Sequence, residues 1–140
     1  QYPGFDYLEA APEDLPGSYR WCGSYTSVGV SGWEANAMGR GQANTDAIIA
    51  AGCDTASDAA QAAKSYAGGG QTDWFLPSMG ELMLMYENLR QAGLGAFGYA
   101  DYWSSTEYDA GHAWFQGFYD GYQNIYSKAD NLSFRPVLAF

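Results

Sequence analysis

The sequence has one histidine, His112, the side chain best suited to acid–base chemistry at neutral pH. It follows Gly111 in a polar turn, with Glu107 and Asp109 shortly before it. A general base needs a carboxylate within hydrogen-bond reach, and either acid could supply one. The alternative is that His112 is an exposed contact residue. Because the chain has no HExxH, GxSxG or CxxC motif, we predict that the protein is not an enzyme.

Metal and cofactor sites have equally weak support. Calcium needs about six to eight oxygen ligands in a tight loop. The carboxylates that could contribute are scattered over separate predicted strands, at Asp101, Glu107, Asp109 and Asp120. We therefore predict solvated acids and no metal site. The G-x-G at residues 39–41 lacks the third glycine and the preceding strand of a dinucleotide site, so we also predict no cofactor.

The two cysteines, Cys22 and Cys53, allow one internal pairing. In an extracellular domain they could form a disulfide that closes a long loop. Alternatively, both are buried thiols that pack as small hydrophobic side chains. Their spacing does not decide between the two.

The composition is that of an acidic, turn-rich domain. A length of 140 residues suits one domain, 1–140, with a sizeable core. The 18 glycines and 12 tyrosines favour strands and turns over a helical bundle. A net charge of −10 repels phosphate backbones and anionic lipids, so we predict no nucleic-acid partner. No run approaches the ~18 apolar residues of a membrane span, so we predict no membrane insertion by this domain.

The elements that position these residues begin with an irregular N-terminal arm. Residues 1–35 are rich in turn-forming residues and are predicted to hold one or two short strands around residues 19–30. Asn44 or Thr45 is a plausible N-cap of a first helical segment. A separate alanine-rich piece follows, ASDAAQAAKSYAGGG, which is also predicted to be helical and to stop at Gly68–Gly70.

A second helical segment is predicted from Ser78 to about Gln91. Ser78 and Glu81 have the spacing of a capping box. Apolar residues then recur at helical intervals and predict one buried stripe: Leu82, Met85, Tyr86 and Leu89.

Residues 100–140 alternate in the manner of short strands, in YWSSTEY, AWFQGFY, YQNIYS and SFRPVLAF. This β-rich region after the helices predicts an α+β fold, with two helical segments packed on short antiparallel strands.

Asp120–Gly121 is typical of a two-residue hairpin turn and would pair Tyr119 with Tyr122. Side-chain alternation then divides the hairpin into two faces. One face carries Phe115, Gly117, Tyr119, Tyr122, Asn124 and Tyr126. The other carries Trp114, Gln116, Phe118, Gln123, Ile125 and Ser127.

The first face has the tyrosine-rich composition of recognition surfaces, because tyrosine offers broad, rigid contact at low entropic cost. The alternative is that a second layer covers this face and makes it core. We predict that Tyr119, Tyr122 and Tyr126 are exposed together, while Trp114 and Phe118 are buried.

The runs GQANTDAI, GGGQTDWFLPSMGEL, YWSSTEY, AWFQGF and FRPVLAF resemble the C-terminal domain family of collagen-like bacterial adhesins. The resemblance covers residues 36–140 and implies a C-type-lectin-like fold. It does not extend to calcium-dependent sugar binding, because the EPN or QPD and WND motifs are absent. Formylglycine-generating enzymes share the broad fold but need reactive cysteines, and Cys22 and Cys53 lie outside the matched C-terminal blocks.

The last forty residues resemble a narrower group, the variable proteins of diversity-generating retroelements. In that group a reverse transcriptase miscopies template adenines, so that some positions vary and others stay fixed. The resemblance implies fixed scaffold positions at Trp103, Glu107, Ala110, Ala113, Trp114, Gln116, Phe118, Gly121, Gln123 and Lys128. It implies a variable ligand-binding face at Tyr108, Asp109, Gly111, His112, Phe115, Gly117, Tyr119, Asp120, Tyr122, Asn124 and Tyr126. Ile125 and Ser127 also fall on varying positions, with Ala129, Asp130, Leu132 and Phe134 as further candidates.

Residues and resemblance together predict a non-enzymatic binding module, extracellular, on a bacterial surface or a phage particle. Its expected partner is a protein or glycan on another cell or surface. The alternative is an adhesin domain of the same fold with a fixed carbohydrate or glycosaminoglycan ligand, although the net charge counts against polyanionic sugars.

Overall fold

The helices lie in the middle of the chain and the largest sheet follows them, so the predicted α+β class is confirmed. The computed structural model describes residues 8–139. The elements in chain order are β1 (Leu8–Ala10), β2 (Tyr19–Arg20), α1 (Gly32–Asn36), α2 (Gly41–Ala50), α3 (Ala59–Ser65), a 3-10 turn (Gly68–Gly70), α4 (Met79–Met85) with a π-helical turn (Tyr86–Arg90), β3 (Asp101–Glu107), β4 (His112–Gly117), β5 (Gln123–Ser127), β6 (Asn131–Leu132) and β7 (Val137–Ala139).

The described strands form three antiparallel sheets. The largest is a meander in the order β3-β4-β5, whose outer strand β5 is an edge. β1 pairs with β7, and β2 pairs with β6. The N-terminal arm is therefore fastened to the last strands of the chain.

The predicted capping box at the start of α4 is confirmed. The Ser78 hydroxyl accepts a hydrogen bond from the Glu81 backbone N–H, and the Glu81 carboxylate accepts one from the Ser78 backbone N–H at 2.9 Å. Gly39 N–H also donates to Glu81, at 2.8 Å. Burial raises the pKa of the Glu81 carboxyl, and these hydrogen bonds oppose the rise. Leu82 and Met85 are buried as predicted; the next turn, with Tyr86 and Leu89, is only partly buried.

The first half of the chain contains more helix than predicted. α1 was not anticipated, and β2 is the only described strand within residues 19–30. The N-cap prediction at Asn44 or Thr45 is wrong, because α2 begins at Gly41. Both residues lie inside the helix: Asn44 donates to the Ala35 carbonyl, and the Thr45 hydroxyl donates to the Gly41 carbonyl. The part of the predicted arm at residues 1–7 lies outside the described residues.

Cys22 and Cys53 form a disulfide, with their Cα atoms 5.0 Å apart. The bond joins the arm to the segment after α2, within the core cluster that contains Trp21, Ile48 and Trp103. Of the two alternatives for the cysteines, the disulfide is confirmed.

A buried ion pair joins the end of β3 to the residue after β5. Lys128 Nζ lies 2.5 Å from Glu107, and both side chains are almost fully buried. Lys128 also donates to the Thr26 carbonyl and lies over the Trp21 ring. The Glu107 carboxylate accepts hydrogen bonds from the backbone N–H groups of Val28 and Gly29 at 2.8 and 3.0 Å. The loop over residues 26–29 is therefore held to the sheet through this pair.

Truncation of the buried stripe of α4 tests the packing of this helix. Leu82→Ala removes a fully buried side chain and should lower the free energy of unfolding by about 2–5 kcal/mol in urea denaturation. The matched control is Leu94→Ala, because Leu94 is 56% exposed; it should cost less than about 0.5 kcal/mol. Equal losses of unfolding free energy in the two variants would contradict the burial of this face of α4.

Removal of the buried cation tests the ion pair. Lys128→Met leaves the Glu107 carboxylate buried without its partner and should cost about 3–5 kcal/mol of unfolding free energy. Glu107→Gln combined with Lys128→Met should cost less than the single change. Lys64→Met is the control, because its pair with Asp46 is exposed, and the loss should stay below about 1 kcal/mol.

Candidate functional site

Three exposed tyrosines gather along the edge strand β5 and the β4–β5 turn. Tyr119 is 71% exposed, Tyr122 55% and Tyr126 44%. Phe118, beside them in the turn, is fully buried. The predicted burial pattern is confirmed for these four residues. We call Tyr119, Tyr122 and Tyr126 the tyrosine surface.

The β4–β5 turn is longer than the predicted two residues. Phe115 lies opposite Asn124 rather than Tyr126, and the Gly117 N–H donates to the Tyr122 carbonyl at 2.7 Å. The turn therefore spans residues 118–121. The pairing has moved by two residues, and an even shift leaves each paired strand residue on its predicted face.

Burial of Phe118 explains the longer turn. Its ring packs against those of Tyr86 and Tyr102, at centroid distances of 5.5 and 4.5 Å, and its N–H donates to the Ala100 carbonyl. Phe118 therefore leaves the β4–β5 ladder for a second core cluster. Gly121 completes the turn with φ +81°, and an added Cβ would lie 2.8 Å from the Tyr86 ring, so this position suits glycine alone.

The face that carries the tyrosines is buried along β4 and exposed along β5. Phe115 is 8% exposed and belongs to the core cluster of Trp21, Trp103 and Phe134. Gly117 is also buried. The prediction that Phe115 and Gly117 present themselves to a ligand is therefore wrong. β4 is the central strand and a second layer covers it, whereas β5 extends past that layer.

Trp114 is only partly buried, which corrects the prediction that it is core. It lies on the opposite face of β4 and packs edge-to-face on Tyr108, 5.7 Å between ring centroids. Ile125 and Ser127 lie on that face too and are partly buried. Trp103, by contrast, is fully buried.

Two carboxylates stand over Gly117, beside the tyrosine surface. Gly117 lies between Asp101 on β3 and Tyr122, the residue just before β5. A Cβ on Gly117 would lie 3.0 Å from an Asp101 carboxylate oxygen and 3.8 Å from one of Asp120. Burial, and then the charge of Asp120, raise the pKa of the Asp101 carboxyl. The Asp101 carboxylate therefore fills the space above the buried Gly117.

Tyr99 extends the exposed aromatic area, although sequence reasoning does not single it out. It is 75% exposed and packs edge-to-face on Tyr119, 5.1 Å between centroids. The Arg90 guanidinium lies 4.6 Å from the centre of its ring. The available clue was topological: in a meander the start of β3 lies beside the end of β4, which places Tyr99 next to the β4–β5 turn.

The remaining predicted residues form a separate group at the other end of β4. Asp109 accepts hydrogen bonds from the Gly111 N–H and His112 Nδ1, at 2.9 and 2.8 Å. The hydrogen bond with His112 lowers the pKa of the Asp109 carboxyl. Tyr108 is exposed and packs on Trp114, on the face opposite the tyrosine surface. The predicted ligand-binding residues therefore form two groups, the tyrosine surface and this group around Asp109.

The edge strand β5 has one amide that is shielded locally. Residues 122, 124 and 126 direct their backbone groups toward β4, so the N–H of Ile125 points outward. The side-chain oxygen of Asn124 accepts a hydrogen bond from that N–H at 2.8 Å. The Asn124 amide group in turn donates to the Tyr122 hydroxyl.

Other features lie away from this surface. A cavity of about 540 Å³ is lined by residues 8–12, Leu89 and Gly95, none of which is a predicted site residue. Within residues 8–139, no group of three or more His, Cys, Asp or Glu side chains is arranged to hold a metal ion. No helix in that range has the length and apolar character needed to cross a membrane.

Comparison with known proteins identifies the family. No curated protein matches the chain. The model of the Lcl C-terminal domain matches residues 27–138, which is most of the chain and includes the tyrosine surface. This family is one of adhesin-like C-terminal domains, compatible with ligand or receptor binding. The chain therefore belongs to the Lcl C-terminal domain family.

Proposed function

We propose that this domain is a non-enzymatic binding module whose ligand contacts the tyrosine surface. The observation that carries the proposal is the joint exposure of Tyr119, Tyr122 and Tyr126 beside fully buried Phe118. Exposed rings grouped on one surface cost solvation free energy in the isolated protein, and such patches commonly mark interaction sites. Tyrosine suits this role, since its ring supplies apolar area and its hydroxyl a hydrogen bond.

The backbone that carries these tyrosines is anchored to the core, which suits a surface that contacts a ligand. The edge strand rests on the buried Phe115 and is followed by the buried Lys128, so it is held at both its centre and its end. Side chains that project from such a strand can change without creating a cavity in the core. We propose a C-type-lectin-like scaffold for this arrangement, in line with the resemblance of residues 36–140.

We further propose that a retroelement diversifies this surface. The support is that exposed positions 119, 120, 122 and 126 fall on the varying positions of that group, whereas buried Trp103, Phe118 and Lys128 fall on fixed ones. Phe115 and Gly117 fit this division less well because they are buried.

We place the domain outside the cell, on a bacterial surface or phage particle, with a protein or glycan of another surface as partner. The Cys22–Cys53 disulfide supports an oxidising compartment. The second candidate, a fixed carbohydrate-binding adhesin, is favoured by the family's adhesin-like character.

Replacement of the tyrosine surface tests the binding proposal. The triple change Tyr119→Ser, Tyr122→Ser and Tyr126→Ser should move Tm by no more than about 3 °C, because the rings are exposed. On a glycan array and a panel of bacterial surface proteins, every interaction of the wild type should disappear. Trp33→Ser is the control, since Trp33 is 79% exposed on α1, and it should keep those interactions. A fall in Tm of more than about 10 °C, or binding that survives the triple change, would exclude the proposal.

The coding sequence tests diversification. An AAC or AAT codon randomised at its adenines keeps a final pyrimidine, so it cannot encode Lys, Glu, Gln, Met or Trp. The residues at 108, 109, 119, 120, 122, 124 and 126 all obey this restriction. Tyr, Asp and Asn codons always end in C or T, so the informative codons are those of Gly111, Gly117, Ile125 and Ser127, which we also expect to end in C or T. A near-copy of this segment, which differs almost only at adenines, should lie beside a reverse-transcriptase gene. If that repeat is absent, or if the codons of Gly111, Gly117, Ile125 and Ser127 end in a purine, the retroelement proposal is wrong and the fixed-ligand adhesin is the better hypothesis.

A further inference from the structure

We propose that the binding surface extends from Tyr119 through Tyr99 to Arg90, and that the Arg90 guanidinium binds a glutamate or aspartate carboxylate of a protein partner. This inference rests on the proposed function and adds the chemistry of the partner. It depends on a cationic side chain that has no acceptor of its own within the described part of the chain and lies beside exposed rings.

The Arg90 side chain lacks the partners that other arginines of this protein have. Arg90 is partly buried, and its Nε–H is buried without a hydrogen-bond partner. Within residues 8–139 it forms no ion pair, whereas Arg135 pairs with Asp14 and donates to three backbone carbonyls. Buried polar groups are nearly always paired, so an unpaired one needs an explanation. An acceptor on a ligand would complete the hydrogen bonding of this guanidinium.

An aromatic contact fixes the position of the guanidinium. Arg90 Cζ lies 4.6 Å from the centre of the Tyr99 ring, and Tyr99 packs edge-to-face on Tyr119, 5.1 Å between centroids. The cation is therefore held beside the tyrosine surface, within reach of a partner that covers Tyr119. Arginine and tyrosine are among the residue types that contribute most to the free energy of protein–protein binding.

A small open cavity adjoins this pair of side chains. It has a volume of about 160 Å³ and is lined by Arg90, Phe97, Gly98 and Tyr99. A Cβ added to Gly98 would meet no atom within 4 Å, so the space at that residue is free. Small-molecule sites usually have about 300–1,000 Å³, so this cavity suits one side chain better than a sugar ring. A carboxylate fits the chemistry, because its two oxygens accept parallel hydrogen bonds from a guanidinium.

The charge of the chain restricts the kind of anion that can bind. A net charge of −10 repels polyanions such as sulfated glycans. A single carboxylate is repelled much less, and its short-range hydrogen bonds to Arg90 oppose that repulsion. We therefore expect one acidic residue on a partner surface that is otherwise neutral or basic.

Nuclear magnetic resonance titration with matched peptides tests this proposal. The probes are acetyl-Gly-Gly-Glu-Gly-Gly-amide and the same peptide with glutamine, which keeps the shape of glutamate but carries no charge. The glutamate peptide should shift the Nε–H resonance of Arg90 and the amide resonance of Gly98 saturably. The glutamine peptide should bind at least about threefold more weakly.

Two matched arginine variants separate this site from the overall charge. Arg90→Gln should weaken binding of the glutamate peptide by about threefold or more. Arg40→Gln is the control, because Arg40 is exposed, forms no ion pair with a described residue and lines a different cavity. It changes the net charge equally and should alter binding by less than about 1.5-fold. Should Arg90→Gln fail to give a folded amide spectrum, the comparison of the two peptides on the wild type decides.

Equal binding of the two peptides, or equal effects of Arg90→Gln and Arg40→Gln, would overturn the proposal. The methyl glycoside of N-acetylneuraminic acid presents a carboxylate on a sugar. Saturable shifts at Arg90 with this sugar, and none with the glutamate peptide, would overturn the protein partner in favour of a glycan. These results are distinct from failure of the proposed function. If the triple tyrosine variant loses its array interactions while Arg90→Gln keeps them, the binding module stands and the carboxylate contact is wrong.

Discussion

The ion pair between Glu107 and Lys128 is the contact on which the rest of the structure depends. Glu107 ends β3, and Lys128 follows β5, so the pair joins the two outer strands of the meander at one end. The Lys128 carbonyl also accepts hydrogen bonds from the N–H groups of Trp21 and Cys22. Sheet, disulfide and arm therefore meet at one residue. Since desolvating two charges is costly, this pair contributes to stability only while all of its partners are present, and it ties the arm and the sheet into one cooperative unit.

A similar arrangement fastens the other side of the molecule. The buried Arg135 guanidinium pairs with Asp14 and donates to the carbonyls of Ala11 and Gly95. Its partners come from the arm and from the loop that precedes β3. The short sheets β1–β7 and β2–β6 would hold few hydrogen bonds alone, so the two buried cations supply much of the specificity of these long-range contacts.

Local sequence patterns correctly predicted the features that depend on neighbouring residues alone. The capping box at Ser78 and the alternating strands of residues 100–140 needed no knowledge of the rest of the chain. The failures were tertiary in origin. Asn44 has the side chain of an N-cap but serves a buried contact with Ala35. Phe115 alternates correctly with its neighbours, yet no local pattern reveals that its ring lies in the core cluster of Trp21 and Phe134. The turn length followed from the packing of Phe118, which a two-residue turn motif cannot anticipate.

The division of one sheet face between core and surface follows from strand order. The central strand is covered, and the edge strand beside it extends past the cover, so neighbouring rings such as Phe115 and Tyr126 have different roles although they touch. The backbone of such a binding surface is held by the buried residues beneath it. Its exposed side chains can still change without disturbing the core. The cost falls on the edge strand, whose backbone must remain accessible.

The hydrogen bond between the Ile125 N–H and the Asn124 side chain reduces the exposure of this edge-strand backbone. An open edge strand is a template for pairing with another chain, and soluble proteins usually block it. Here the Asn124 side chain accepts a hydrogen bond from the outward N–H of Ile125, in the middle of β5. The residue that shapes the surface for its partner therefore also guards the molecule against self-association. A substitution at position 124 would therefore change self-association through β5 as well as ligand recognition. Residues at this position are limited to those that keep the domain monomeric at its working concentration.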